Sequence, residues 1–274
     1  MNIPKYKSHF VFSSLFLCFF VLSMSQTPGQ AEETQFLFTH AHAHNDYEHE
    51  KPLEDALSNR FYSVEADIWL VDGKILVSHD RGRYKGSLKE LYLDPLQKRV
   101  KEKGSVHGDG REFLLWVDIK DSRAALRPVL HNLLKTYPML SVFSNKSIKT
   151  NAVTVILTGD RLSKTAYGKE FDIRYACRDS NSYAEHDPKA DKYWLWYAIN
   201  WGRLFEWDGK GAMPAQEHNR LKQIVSDMHE KGRKVRFYAT PETELYWEIA
   251  LKTRVDLINT DELARLHRFL KESM

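Results

Sequence analysis

The chain has 274 residues, 42% of them hydrophobic and 28% charged, with a formal net charge of +3. This is the composition of a globular chain able to bury a core, and it excludes a disordered or fibrous protein. Acidic and basic residues are mixed along the sequence with no basic stripe, which argues against nucleic acid and leaves a small molecule or peripheral contact with a membrane surface; no protein partner is implied.

Residues 1–25 stand apart. Lys5 and Lys7 precede the apolar run "FVFSSLFLCFFVLSM", and Ser23 and Ser25 then offer small side chains at the spacing a signal peptidase reads. The run is shorter than the ~20 apolar residues that a spanning helix needs. The segment therefore reads as a secretory signal peptide, leaving a domain over 26–274 that is exported to a periplasm or secreted. Cleavage would remove Lys5 and Lys7 and take the charge of +3 to about +1. Cys18 lies in the leader and Cys177 is then alone, so no intramolecular disulfide is expected and Cys177 reads as a small packed hydrophobe.

From Gln35 onward, strand candidates follow in the order "FLFTHAH", "SVEADIWL", "FLLWVDIK", "AVTVILTG", "DIRYAC", "YWLWYAIN", "KVRFYAT" and "VDLINTD". Helical patterns lie between them, among them "KPLEDALSNR", "SLKELYLDPLQKRVKEK", "SRAALRPVLHNLLKTY", "AQEHNRLKQIVSDMHEKG" and "TELYWEIALKTR", and "ELARLHRFLKES" closes the chain. Strands alternating with helices predict a parallel sheet. Eight strands at this length predict a single α/β domain, a (β/α)8 TIM-type barrel, less regular after its fourth strand. Chemistry on that fold sits at the C-terminal strand ends, where His42/His44, Glu65/Asp67, Asp118/Lys120 and Asn259/Asp261 fall.

Glu65 and Asp67 are two apart on a strand, so both point to one face. Two carboxylates in one apolar volume are costly unless a cation or a shared proton compensates; a salt-bridged pair is the plain alternative. One strand later, Asp118 and Lys120 repeat the spacing. Three carboxylates can then converge as oxygen ligands for one hard divalent cation, Mg2+ or Ca2+, with Lys120 beside them to neutralise a substrate phosphate or to pair with Asp118. The run "DGKILVSHD" reads as a hairpin turning at Asp72-Gly73 and returning His79 and Asp80 to the same rim. His44 and His79 would then face each other as general base and general acid for displacement at phosphorus.

The run "HNDYEHEKPLEDAL … SVEADIWL … GKILVSHD … LLWVDIK" resembles the phospholipase C-like phosphodiesterases of TIM-barrel type, most closely proteins related to altered inheritance of mitochondria protein 6. Glycerophosphodiester phosphodiesterases and sphingomyelinases D are wider kin. The shared pattern falls on His44, on Glu65 and Asp67, on His79 and Asp80, and on Asp118 and Lys120; "VRFYATPETELYWEIALKTRVDLINTDEL" is similar to the last two strands. Asn45 stands where the glycerophosphodiesterase pattern has Arg, and Leu53 where it has Glu. The resemblance implies a metal-dependent phosphoric diester hydrolase acting on a small phosphodiester or a phospholipid head group, through hydrolysis or a cyclic phosphate. It places the cation on Glu65, Asp67 and Asp118, proton transfer on His44 and His79, and developing negative charge against Lys120 and Asn45.

His42 shares the parity of His44 and is a candidate phosphate contact, while His40 reads as structural and His49 as exposed. Asn200 and Trp201 fall near a sixth strand end and are further candidates for substrate contact. Two other readings remain. One is a zinc hydrolase using the H-x-H repeats of "HAHAH", although the later histidines fall in helix or loop candidates. The other is a barrel that binds a phospho-ligand without turning it over.

Overall fold

The computed structural model describes Met1 and residues 37–273. Eight parallel strands close into a barrel: β1 (Ala41–Ala43), β2 (Ser63–Val71), β3 (Phe113–Ile119), β4 (Val153–Gly159), β5 (Cys177–Ser180), β6 (Trp194–Asn200), β7 (Lys234–Tyr238) and β8 (Leu257–Thr260). Closure is made by β1, which pairs with β8 through His42 opposite Asn259 and with β2 through His42 opposite Ser63.

Alternation along each strand divides the side chains between two cores. On β2, Val64, Ala66 and Ile68 face outward into the large apolar layer under the helices. The helices meet that layer with periodic stripes. In α5 (Ala215–Glu230), Leu221, Ile224, Val225 and Met228 are buried; in α7 (Leu263–Glu272), Leu266 and Leu270 are. The inner core is small, built from Leu114, Trp116, Ile156, Cys177, Trp196, Ala198 and Leu257. Cys177 is fully buried there, and burial pushes its thiol up.

Register sets the rim. Asp67 lies opposite Asp118, and Asp118 opposite Thr158, so inward-facing polar groups of β2, β3 and β4 stand at one level. A hairpin runs from β2 into the strand Lys74–Val77, and Asp72 (φ 46) and Gly73 (φ 76) hold its turn with positive φ, the chemistry of a tight hairpin.

Three elements depart from the sequence pattern. Leu37–Thr39 are helical rather than the start of a strand, with Phe38 packed on the His267 ring at 5.0 Å. The expected strand "DIRYAC" splits: Ile173–Arg174 pairs antiparallel with Val142–Ser144 outside the barrel, and β5 begins only at Cys177. Buried Arg174 drives the split by donating to the carbonyls of Gly168 and Phe171 and to Asn145. Helix α4 (Arg161–Glu170) follows β4, where no helix was expected because its apolar positions are sparse. It starts where the Asp160 side chain accepts from the Ser163 amide at 2.7 Å. Residues 181–193 link β5 to β6 with no helix, the irregularity expected of the middle.

Candidate active site

A cavity of about 660 Å³ opens at the C-terminal rim of the barrel, with His44, Glu65, His79, Asp118 and Lys120 in its wall. Beneath it, Glu65, Asp67 and Asp118 each turn a carboxylate oxygen into a space where these atoms lie within 4.8 Å of one another. Asp67 Oδ1 and Asp118 Oδ1 are buried without a hydrogen-bond partner. Two orphaned carboxylate oxygens at that spacing are what a hard divalent cation with bonds of about 2.0–2.6 Å would satisfy, so the residues fit such an ion.

The charges around the triad are only partly paired. Lys120 Nζ donates to Asp118 Oδ2 at 2.9 Å and lies 3.1 Å from Asp67 Oδ2. Burial works to lower the lysine, but the two carboxylates outweigh it and hold its ammonium charged. Asp118 is pushed up to about 6 by burial and by the charges of Glu65 and Asp67, and Asp67 is raised by burial and by Glu65. Glu65 goes the other way. Burial alone would raise it, but Arg236 Nη1 donates to its Oε2 at 2.6 Å and holds it well below the usual carboxylate range.

Both proposed proton carriers reach the cavity in the same way. His44 Nδ1 meets Asp261 Oδ1 at 2.9 Å, and His79 Nδ1 meets Asp67 Oδ2 at 3.0 Å. Each imidazole is thus oriented by a carboxylate on one nitrogen, leaving Nε2 without a hydrogen bond among the described residues. Burial opposes protonation of His44, and the Asp261 bond outweighs it and raises the imidazole.

Other expected contacts lie elsewhere. His42 is fully buried in the barrel interior, between Ser63 Oγ at 2.7 Å, Glu65 Oε2 at 3.1 Å and Arg236, so it does not reach a substrate. Burial and the Arg236 charge lower it to about 3. Trp201 is buried as well. Its Nε1 donates to the Trp207 carbonyl and its ring packs on Phe205 and Phe237, so it is core rather than a substrate contact. Asn200 is half-buried at the end of β6 and is not among the cavity's lining residues. Asn45 accepts from the Tyr47 hydroxyl at 3.0 Å and lines a neighbouring cleft that shares His79. The zinc reading lacks a ligand set. His40 is held by the Val255 carbonyl, His42 by Glu65 and Arg236, and no histidine joins the triad among the described residues.

Sequence reasoning missed Arg236 and Gly159. Arg236 sits at an inward position of β7, buried over the Trp116 ring at 4.1 Å, where it also donates to Asn259 Oδ1 at 2.7 Å. A basic residue at the centre of an apolar strand was the signal. Gly159 ends β4 at φ 79; a Cβ there would stand 2.7 Å from the Ile119 carbonyl oxygen and closer still to Asp118 Oδ1. Arg161, Arg203 and Tyr238 also line the cavity without having been anticipated.

Comparison with known proteins agrees with this architecture. A glycerophosphodiester phosphodiesterase from Parabacteroides distasonis superposes with a TM-score of 0.55 at 14% identity, covering 86% of this chain and 98% of that one, a likeness of fold. Altered inheritance of mitochondria protein 6 from Eremothecium gossypii is 25% identical over 88% of this chain and 73% of its own length. Its Arthroderma benhamiae homolog is 23% identical over 81% of each. These relatives are named for the inheritance of mitochondria, not as periplasmic or secreted proteins, and that finding overturns the expectation of export; the leader on which it rested lies outside the described residues. Residues 33–170, half of the chain, match the family described as AIM6-like phosphodiesterase domain, and with the barrel and its acidic rim in place the chain belongs to that family.

Proposed function

We propose that this protein is a metal-dependent phosphoric diester hydrolase acting on a small phosphodiester or a phospholipid head group. The observation that carries the reading is the rim itself: three carboxylates with two orphaned oxygens, flanked by two imidazoles that each keep one nitrogen free. Glu65, Asp67 and Asp118 would hold one Mg2+ or Ca2+ ion, which when bound supplies Lewis-acid stabilisation of charge on a phosphoryl oxygen.

The chain's own residues supply the proton transfers. One imidazole Nε2 takes the proton from the attacking hydroxyl, whether of water or of the substrate itself, and the other gives its proton to the leaving oxygen. Asp261 and Asp67 keep His44 and His79 in the required orientation and stabilise whichever is charged. Lys120, anchored on Asp67 and Asp118, offers its remaining donor to a phosphate oxygen as negative charge grows there. A substrate hydroxyl on the carbon next to the esterified one would bond to phosphorus as the other ester oxygen leaves, giving a cyclic phosphate, and attack by water would give an open one.

Phosphorus NMR on the purified chain tests this with a panel of glycerophosphodiesters, lysophospholipids and inositol phospholipids, in Mg2+ or Ca2+ and then in chelator. Chelator-sensitive turnover is expected, lost in His79→Ala with the fold retained by circular dichroism. Full activity in that variant would sink the assignment. No turnover of any diester would favour a phospho-ligand binder on the same barrel.

A further inference from the structure

We propose that the stretch of cavity wall carried by the segments after β4, β5 and β6 is a second anion subsite, so that the substrate carries a phosphomonoester or equivalent dianion in addition to its diester phosphate. The proposal rests on the phosphodiester reading of the same cavity and names its substrate class. Its basis is the balance of charge around the lining. Of the four cations there, Lys120 is answered by Asp67 and Asp118, and Arg236 by Glu65. Arg161 and Arg203 are answered by nothing: both are exposed, and neither makes an ion pair or side-chain hydrogen bond among the described residues.

Nor does this wall carry a carboxylate that could reach them as a partner. Asp160, beside Arg161, spends its side chain on the Ser163 amide. Asp179 is buried, accepting from Lys164 and from Thr158 Oγ1 at 2.7 Å. What stands beside the arginines instead is a set of neutral groups. Asn181 has its Oδ1 turned to Lys164, which leaves its amide nitrogen to donate, and Ser182 and the Tyr238 hydroxyl complete the wall.

Two guanidiniums and neutral donors in the wall of one cavity suit a group of about two negative charges, since Arg binds phosphate oxygens through paired N–H donors. A diester phosphate bears one charge and is already met by Lys120 and the proposed cation. A phosphomonoester bears about −1.5 to −2 at neutral pH, which matches the unanswered pair. Arg161 opens α4 after β4, and Arg203 ends the turn Trp201–Arg203 after β6, so the subsite belongs to the half of the rim away from His44 and His79.

Calorimetry on the full chain tests the proposal with alkanediol bisphosphates of increasing chain length against alkyl monophosphates. These probes contain no diester bond, so the result is independent of whether any diester is turned over. At least one bisphosphate should bind about tenfold more tightly than the monophosphate, and Arg161→Gln with Arg203→Gln should erase that advantage. A flat series in the wild-type chain would overturn the proposal, as would an advantage that survives the double substitution. So would an equal loss of monophosphate binding with no gain from the second phosphate, which would assign the arginines to the diester phosphate instead. Co-sedimentation with phosphatidylcholine vesicles containing a phosphatidylinositol monophosphate, compared with binding of the deacylated head group, separates a lipid from a soluble source. Arginine-dependent capture in either arm supports the subsite.

Discussion

Asp118 keeps one oxygen free only because Gly159, on the neighbouring strand, has no side chain. Its φ of 79 also lies where an L residue is strained by about 1–3 kcal/mol. Gly159→Ala should therefore push the Asp118 carboxylate out of the triad, and since a displacement of about 1 Å costs a catalytic group on the order of 100-fold, the role proposed for Asp118 requires turnover to fall at least that far. The check is kcat beside the urea midpoint; an alanine variant with wild-type kcat would show that Asp118 tolerates the displacement. Arg236 makes a different kind of demand. Its guanidinium is buried with Glu65, His42 and Asn259 around it, and a buried pair broken on one side leaves an uncompensated charge worth about 3–5 kcal/mol. Arg236→Met should destabilise by that amount, and adding Glu65→Leu should recover most of it. Equal destabilisation of single and double variants would mean that packing on Trp116, not charge, is what Arg236 contributes.

The loop from β1 into α1 (Glu54–Ser58) carries His44, and it is tied down by one acid, Asp46, whose Oδ2 accepts from the Leu53 amide at 2.6 Å and the Tyr92 hydroxyl at 2.9 Å. Its Oδ1 is buried without a partner, and burial raises the carboxyl to about 7. A folded-state pKa raised above the ordinary 3.8 means that the folded state holds the proton more tightly. The stabilisation is complete below about pH 4 and is lost as pH climbs through about 7, by on the order of 4 kcal/mol at most. Asp46→Asn keeps both acceptor contacts through its carbonyl, so urea melts from pH 5 to 8 should show a flatter pH dependence and a more stable variant at pH 8. An unchanged slope would place the proton elsewhere. Elements of this kind mark how far a sequence can be read. Period-two alternation shows which carboxylates of "SVEADIWL" and "LLWVDIK" share a face, and Asp-Gly marks the hairpin that returns His79, because both signals are local. The Tyr92 partner of Asp46 is 46 residues away, and the Asp261 partner of His44 is 217 residues away, brought near only when β1 closes the barrel against β8. Trp201 misled for the same reason: a residue following a strand end faces either the cavity or the helices, and Phe205, Phe237 and Tyr246 decided for the core.

For the whole molecule, the question is what the barrel would gain from the cation proposed for its rim. Folding gathers Glu65, Asp67 and Asp118 from two strands and leaves two oxygens unsatisfied, so the folded state without an ion carries an electrostatic cost that the unfolded chain does not. An ion that binds only the folded state adds RT ln(1 + [L]/Kd), about 2.7 kcal/mol at a hundredfold excess over Kd. At 2–4 °C per kcal/mol for a chain of roughly this size, Tm should rise by about 5–10 °C with saturating Mg2+ or Ca2+ and return in chelator. Asp118→Asn removes one ligand charge while keeping its shape, so the rise should shrink to a degree or two. Zn2+ at matched free concentration should do less than the harder ion, because the three grouped ligands are all carboxylate oxygens. A cation-induced rise that survives Asp118→Asn would locate the ion away from the rim, and with it the chemistry; a rise abolished there, but insensitive to His79→Ala, would separate the group that holds the ion from the group that moves the proton.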